Sequence, residues 1–300
     1  VASRWERTSC NGTIMSASMS GTLFVVATPI GNLEDITLRA LRVLHEADII
    51  AAEDTRRTSR LLAHHVITTK TISFHQHNTR SRVPQLIARL RAGASVALVT
   101  DAGTPGVSDP GLELVNACVA EGISVDPVPG ASAPLAAAVA AGFSLTPFTF
   151  LGFPPTKSYD RTAWFGVASS VVGTFCFFES PHRIARTMRE AAVAWGERPI
   201  VVARELTKVH QEFLRGSAHE LSARLESPRG EFTVVVGPAL NVEIPVTTET
   251  GGEFDARIRL EFGHLTERGG ISRRAAIVQL AKQHRRSAKE IYSALERGKK

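Results

Sequence analysis

Short apolar runs bounded by Gly, Pro and polar clusters alternate with stretches of helical spacing along most of the chain. Leu23-Phe-Val-Val-Ala27, Asp48-Ile-Ile-Ala-Ala52, Ser95-Val-Ala-Leu-Val99 and Ile123-Ser-Val-Asp-Pro127 read as strands. Between them Leu38, Leu41, Val43 and Leu44 predict one helix, and Leu112 to Ala120 predicts another. Strands alternating with helices predict an α/β layer with a mostly parallel sheet over residues 21–133. Residues 134–240 predict a second α/β domain. Its strands are Thr149-Phe-Leu151, Thr174 to Phe178, Pro199 to Ala203 and Phe232 to Val236, and its helices are Arg183–Trp195 and Ala218–Leu225.

The flanks read differently. Residues 1–20 are rich in Ser and Thr, lack an apolar stretch of signal-peptide type, and predict a disordered extension, with Met15 or Met19 nearer the natural start. Residues 241–253, with Pro245, a Thr pair and a Gly pair, read as a linker. Residues 254–300 predict two short helices. Ser272 suits an N-cap, Ser287-Ala-Lys-Glu290 has the capping-box form, and His284-Arg-Arg286 falls in the turn between them. Such a pair is expected to be mobile unless packing or RNA holds it.

Charge sharpens this division. The last 47 residues carry 12 Lys and Arg against 5 Asp and Glu, whereas the first 253 carry 23 against 24, so the whole-chain charge of +6 belongs to the C-terminal segment. A basic module beside a near-neutral body suits a polyanion-binding appendage on a separate catalytic unit, and equally a solvated helix pair. Cys10, Cys118 and Cys176 are far apart and form no C-x-x-C pair, which argues against a disulfide framework or zinc site and for a reducing cytoplasm. No apolar run reaches membrane-spanning length.

Three loops rich in Gly and Pro follow predicted strands, where α/β proteins place ligands: Thr28-Pro-Ile-Gly-Asn-Leu-Glu-Asp35, Asp101-Ala-Gly-Thr-Pro-Gly-Val-Ser-Asp-Pro-Gly111 and Pro129-Gly-Ala-Ser132. None is a G-x-G-x-x-G or Walker loop, so a dinucleotide or nucleoside triphosphate gains no support. Together they predict a small-ligand cleft. Glu53-Asp-Thr-Arg-Arg57 ends an apolar strand, as an ion-pair knot or as groups that orient a polar substrate. His75, His77 and Asn78 suit RNA contact better than a metal, since no third ligand has a recognisable spacing. Glu179-Ser-Pro-His-Arg183, Arg204-Glu-Leu-Thr-Lys208 and Gly230-Glu231 add charge at further strand ends.

Taken together, these blocks resemble the ribosomal RNA small subunit methyltransferase I family of the tetrapyrrole-methylase superfamily, in order from about Thr22 to Pro238. The resemblance implies two α/β domains of class III methyltransferase type, a C-terminal helical segment, and S-adenosylmethionine bound between the domains. It implies 2′-O-methylation of a cytidine ribose in 16S ribosomal RNA of the small ribosomal subunit by a cytoplasmic homodimer. By position, Pro29 and Gly31 would line the floor; Asp101, Gly103, Thr104 and Pro105 would hold the methionine part; Pro129, Gly130, Ala131 and Ser132 would continue that wall; Ser180, Leu206 and Gly230 would approach the adenosine. Arg229, Gln211 and Thr156 depart from the family pattern at edge positions.

Methyl transfer to a ribose hydroxyl demands alignment, exclusion of water and help for a poor nucleophile. Asp54 or Glu53 is a candidate base or orienter, with Arg56 and Lys208 as electrostatic partners, and no metal is required. Two other readings stand beside this one. A C-methyltransferase of tetrapyrrole precursors leaves the basic tail unexplained, and a non-catalytic ribosome-binding factor leaves the intact loops unexplained.

Overall fold

The structure is a computed structural model that describes residues 21–225, 229–239, 251–263, 265–266, 271–284 and 286–297. The expected extension 1–20, most of the expected linker and Arg285 lie outside the described residues. The chain divides into one compact unit up to Leu240 and another from Asn241.

The first sheet contains β1 (Thr22–Val26), β2 (Ile49–Ala52), β3 (Thr71–Ser73), β4 (Val96–Val99) and β5 (Ser124–Val128). All are parallel, in the order β3-β2-β4-β1-β5. Every position of β2 and β4 is buried, as expected of strands covered on both faces. The two-residue period sorts their side chains. Leu23, Ile49, Ala51, Val96 and Leu98 meet α3 (Thr79–Arg91) and α4 (Leu112–Ala120). Val26, Ile50, Ala52, Ala97 and Val99 meet α1 (Leu38–Glu46) and α2 (Thr55–His64).

The second sheet contains β6 (Phe148–Phe150), β7 (Thr174–Glu179), β8 (Ile200–Arg204), β9 (Glu212–Gly216) and β10 (Phe232–Val236), in the order β6-β7-β10-β8-β9. Only β6 and β7 are parallel; the other pairings are antiparallel. One face carries Phe175, Phe177, Val202 and Val234 against α6 (Ser158–Ser170), α7 (Ile184–Trp195) and α8 (Ala218–Arg224). The other carries Cys176, Val201, Ala203 and Val235 against Ala137 and Ala141 of α5 (Ala133–Ala141), with Leu206 and Ile30. That last cluster is the seam between the sheets. α5 continues from the first sheet yet packs beneath the second.

From residue 251 onward the described residues include three helices where two were expected: α9 (Gly251–Gly263), α10 (Arg273–Gln283) and α11 (Ala288–Glu296). The Gly pair read as linker lies at the start of α9. The added helix supplies Ile258 to a core with Leu280, Ile291 and Leu295, so the pair is packed from within its own unit. Ser272 caps α10, and Ser287 with Glu290 forms the capping box of α11. No described helix is long and apolar enough to cross a membrane.

One buried charge pins the second domain. Arg161, 3% exposed, donates to Pro155 O at 3.0 Å and to Thr187 Oγ1 at 2.9 Å, and pairs with Glu190 and, at 3.9 Å, with buried Glu179. Arg161→Met leaves fully buried Glu179 with Arg183 as its one cation and removes the buried partner of Glu190, and should cost about 3 kcal/mol. Chemical denaturation checks this; a loss under roughly 1 kcal/mol would mean that solvent reaches the pair.

Candidate functional site

The three Gly- and Pro-rich loops sit at the carboxyl ends of β1, β4 and β5, and Glu53 and Asp54 follow β2. Backbone bonds lace the loops together. Thr28 N–H donates to Gly103 O at 2.9 Å, Gly103 N–H returns to Thr28 O at 3.0 Å, and Thr28 Oγ1 donates to Thr100 O. Gly130 lies so near β1 that a Cβ there would stand 3.0 Å from that of Ala27.

Opposite them, the second sheet presents the ends of β7 and β8 and the entry to β10. A cleft of about 320 Å³ lies between, within the usual range for small-molecule sites. Ile30, Gly103, Thr104, Ser108, Asp109 and Ser132 line it from one side. Phe178, Glu179, Ser180, Leu206, Glu231 and Thr233 line it from the other, with Phe153 and Phe232. Of the residues expected around a cofactor, Gly103, Thr104, Ser132, Ser180 and Leu206 therefore reach the cleft. Pro29, Gly31, Asp101, Pro105, Pro129, Gly130, Ala131 and Gly230 lie in the same loops but are not among the lining residues.

Two of those have a different structural task. A Cβ on Gly31 would stand 2.6 Å from Lys208 Cγ and 2.7 Å from Leu206 O and Thr207 Oγ1, so its bareness lets the first loop meet the second domain. Gly230, at φ +99°, leaves room for the Glu205 carboxylate, which a Cβ would overlap. Glu205 and Thr207 are themselves left-handed, at φ +51° and +66°. That strained turn is held by Glu231 N–H and Lys208 Nζ donating to Glu205 Oε1, and by Thr207 N–H donating to Gln211 Oε1.

The charged candidates stand just outside the lining. Lys208 Nζ bridges Glu205 at 2.8 Å and Glu231 at 3.0 Å; burial opposes its charge, but these two carboxylates outweigh it and raise its pKa. Asp54 caps α2 by accepting from Arg56 N–H and holds the Arg56 guanidinium at 2.9 Å, which keeps its carboxyl down at about 2. Asp101 accepts from Asp54 N–H and pairs with Arg57 at 3.2 Å. Glu53 accepts from Asp101 N–H, and burial, with Asp101 nearby, raises its pKa. His75 and His77 face each other at 6.0 Å, and the buried Nδ1 of His75 has no partner. Asn78 is occupied internally, accepting from His75 N–H and donating to Ser73. No group of three or more His, Cys, Asp or Glu among the described residues is arranged to hold a metal.

Sequence reasoning assigned no role to Asp109, although it lies in a loop singled out for its Gly and Pro. It faces the cleft, and burial together with Glu53 and Asp101 pushes its carboxyl up to about 7. Phe153 and Phe178 were also missed as lining residues; nothing in their spacing marks them. Ile30 was hidden between Pro29 and Gly31, and only the packing reveals that it is the residue facing inward.

Residues 22–222 match the family described as Tetrapyrrole (Corrin/Porphyrin) Methylases. A ribosomal RNA small subunit methyltransferase I from Synechocystis is 42% identical over 91% of this chain and 96% of its own. Its counterpart from Micromonospora olivasterospora is 48% identical over 72% of this chain and 70% of its own. Among solved structures, uroporphyrin-III C-methyltransferase from Thermus thermophilus superposes with a TM-score of 0.52 at 22% identity, covering 72% of this chain and 94% of that one. Cobalt precorrin-4 methyltransferase gives 0.54 at 21%, covering 73% and 96%. The chain thus belongs to the tetrapyrrole methylase family and, within it, to the ribosomal RNA small subunit methyltransferase I group.

Proposed function

We propose that this protein transfers a methyl group from S-adenosylmethionine to the ribose 2′-hydroxyl of a cytidine in 16S ribosomal RNA. It acts as a cytoplasmic homodimer on the small ribosomal subunit. The observation that carries the reading is the cleft itself: two sheets meet over a space whose walls are apolar at Ile30, Leu206, Phe178 and Phe232 and acidic at Glu179 and Glu231. Those walls suit a nucleoside attached to a positively charged sulfur. The bound donor supplies a methyl group activated by that charge. The curated relatives are named for a ribosomal RNA, which favours RNA over a porphyrinoid as acceptor.

The chain's own residues have separable tasks. Thr104 and Ser132 offer polar atoms to the amino-acid end, on loops whose course is fixed by Asp101, Pro105, Pro129, Gly130 and Ala131. Ser180, Leu206 and Ile30 offer a mainly apolar bed to the adenosine, and Pro29, Gly31 and Gly230 let the loops close around it. Glu53, Asp54, Arg56 and Lys208 position the acceptor and the loops electrostatically from just outside the lining. Alignment and exclusion of water then supply most of the catalysis.

Incubating the protein with labelled donor and small subunits lacking the modification should place label on one cytidine whose 3′ linkage resists alkali, because its 2′-oxygen is blocked. Label on a porphyrinoid precursor alone would replace this reading.

Donor binding has its own expected outcome. Gly103 lines the cleft at φ +75°, where a β-branched residue is strained and intrudes on the space. Gly103→Val should weaken S-adenosylmethionine binding about tenfold or more by calorimetry. Unchanged affinity would move the donor out of this cleft.

RNA binding should reside in the C-terminal unit, where Arg274, Lys282 and Lys289 are exposed. Reversing all three to Glu should leave donor affinity unchanged. It should weaken binding to ribosomal particles and flatten the dependence of log K on log salt by roughly two to three. An unaltered salt slope would remove the unit from the interface.

A further inference from the structure

Asp109 stands apart from every other carboxylate around the cleft. Glu179 accepts from Thr187 Oγ1 at 2.6 Å and pairs with Arg183 at 2.9 Å; Glu231 pairs with Lys208; Glu53, Asp54 and Asp101 are engaged as described. Among the described residues no hydrogen bond or ion pair reaches the Asp109 carboxyl, although it lines the cleft. Its loop is fixed in an unusual course, with Ser108 left-handed at φ +65° and Gly111 at φ +146° closing on Leu98. A non-glycine residue held in that region next to a cleft is a mark of a shaped site.

We propose that Asp109 is the general base of the transfer, taking the ribose 2′-hydroxyl proton onto its carboxylate. The inference rests on the reading of the site as a ribose methylase. The O2′–H bond breaks toward Asp109, the oxygen's electron pair forms the bond to the methyl carbon, and the carbon–sulfur pair stays on sulfur. One positive and one negative charge vanish together, a change favoured where water is excluded. The proton leaves to solvent after the product departs.

The surroundings support this task. On its own side Asp109 faces Glu53 and Asp101, with Arg57 and His75 beyond them; across the cleft stand Glu179 with Arg183 and Glu231 with Lys208. Burial and the two nearby acids bring it to about 7, where a base is both substantially ionised and strong enough to accept a proton. The rate should rise with pH and level off above that value. Because the folded carboxyl holds its proton more tightly than the ordinary Asp value of 3.8, its contribution to stability is lost as pH rises from about 4 through about 7.

The test compares the unmutated full chain with Asp109→Asn and Asp109→Glu. Measurements are donor affinity by calorimetry, single-turnover methylation of small subunits across pH, and unfolding temperature at pH 5 and pH 8. Asp109→Asn should keep donor affinity within about threefold, lose roughly 100-fold or more in rate together with the rise with pH, and unfold at a higher temperature than the unmutated chain at pH 8 only. Asp109→Glu should recover a pH-dependent part of the rate. Full activity in Asp109→Asn, or a loss of rate matched by an equal loss of donor affinity, overturns the assignment. Inactivity of the unmutated chain toward small subunits overturns the substrate reading, and the role with it.

Discussion

Two sheets can share one cleft here because a loop from the first meets a loop from the second at a glycine, with no side chain of the first loop between them. At Gly31 the distance to the Leu206–Lys208 turn is shorter than a Cβ allows, and that turn is left-handed on both sides of Leu206. The contact turns Ile30 and Leu206 inward, where they join α5 and the second sheet in one apolar cluster. The seam and the ligand walls are therefore made of the same residues. A change that pries the loops apart would both expose the cluster and open the cleft to water. The rigidity of the first sheet, buried on both faces, makes the approach a fixed one.

The electrostatics follow from the same closure. Bringing strand ends together concentrates carboxylates, and the chain answers by giving nearly all of them a partner: Arg57 for Asp101, Arg56 for Asp54, Arg183 for Glu179, Lys208 for Glu205 and Glu231. These pairs hold the loops in shape and lower the repulsion that the geometry creates. Among the described residues Asp109 has none, and burial, with Glu53 and Asp101 nearby, pushes its carboxyl up to about 7, while the Arg56 guanidinium beside Asp54 keeps that carboxyl down at about 2. Two aspartates in neighbouring loops are thus suited to different work by environment alone.

What the sequence reveals follows from the range of the interactions. β2 and β4 are legible because four consecutive apolar residues between polar ones admit few other structures, and the order of Gly- and Pro-rich loops after strands points to the right end of the sheet. The polar first turn of α2, Pro84 inside α3 and the edge strands β3 and β9 conceal elements whose stability comes from packing. Gly103, Thr104, Ser132, Ser180 and Leu206 were legible as cleft residues because motif and position coincide. Asp109 was not. Its character depends on burial that only the folded loops create, and on Glu53, distant in sequence.

The C-terminal unit obeys a separate logic, which bears on the RNA contact proposed for it. Its three helices bury Ile258, Leu280, Ile291 and Leu295 among themselves, and Arg297 clamps buried Asp255 through two bonds of 2.8 Å. Its basic surface therefore has an internal support and does not depend on RNA to acquire a shape. A preformed basic surface loses less conformational freedom on binding than a pair of loose helices would. Phosphate contacts fix register and orientation but carry little sequence information. Selection of one ribose must then fall to the cleft, where the hydroxyl has to meet the base and the methyl group in line. The RNA contact proposed for this unit would thus give affinity to one unit of the chain and specificity to the other, so that a substitution in either should alter one property while sparing the other.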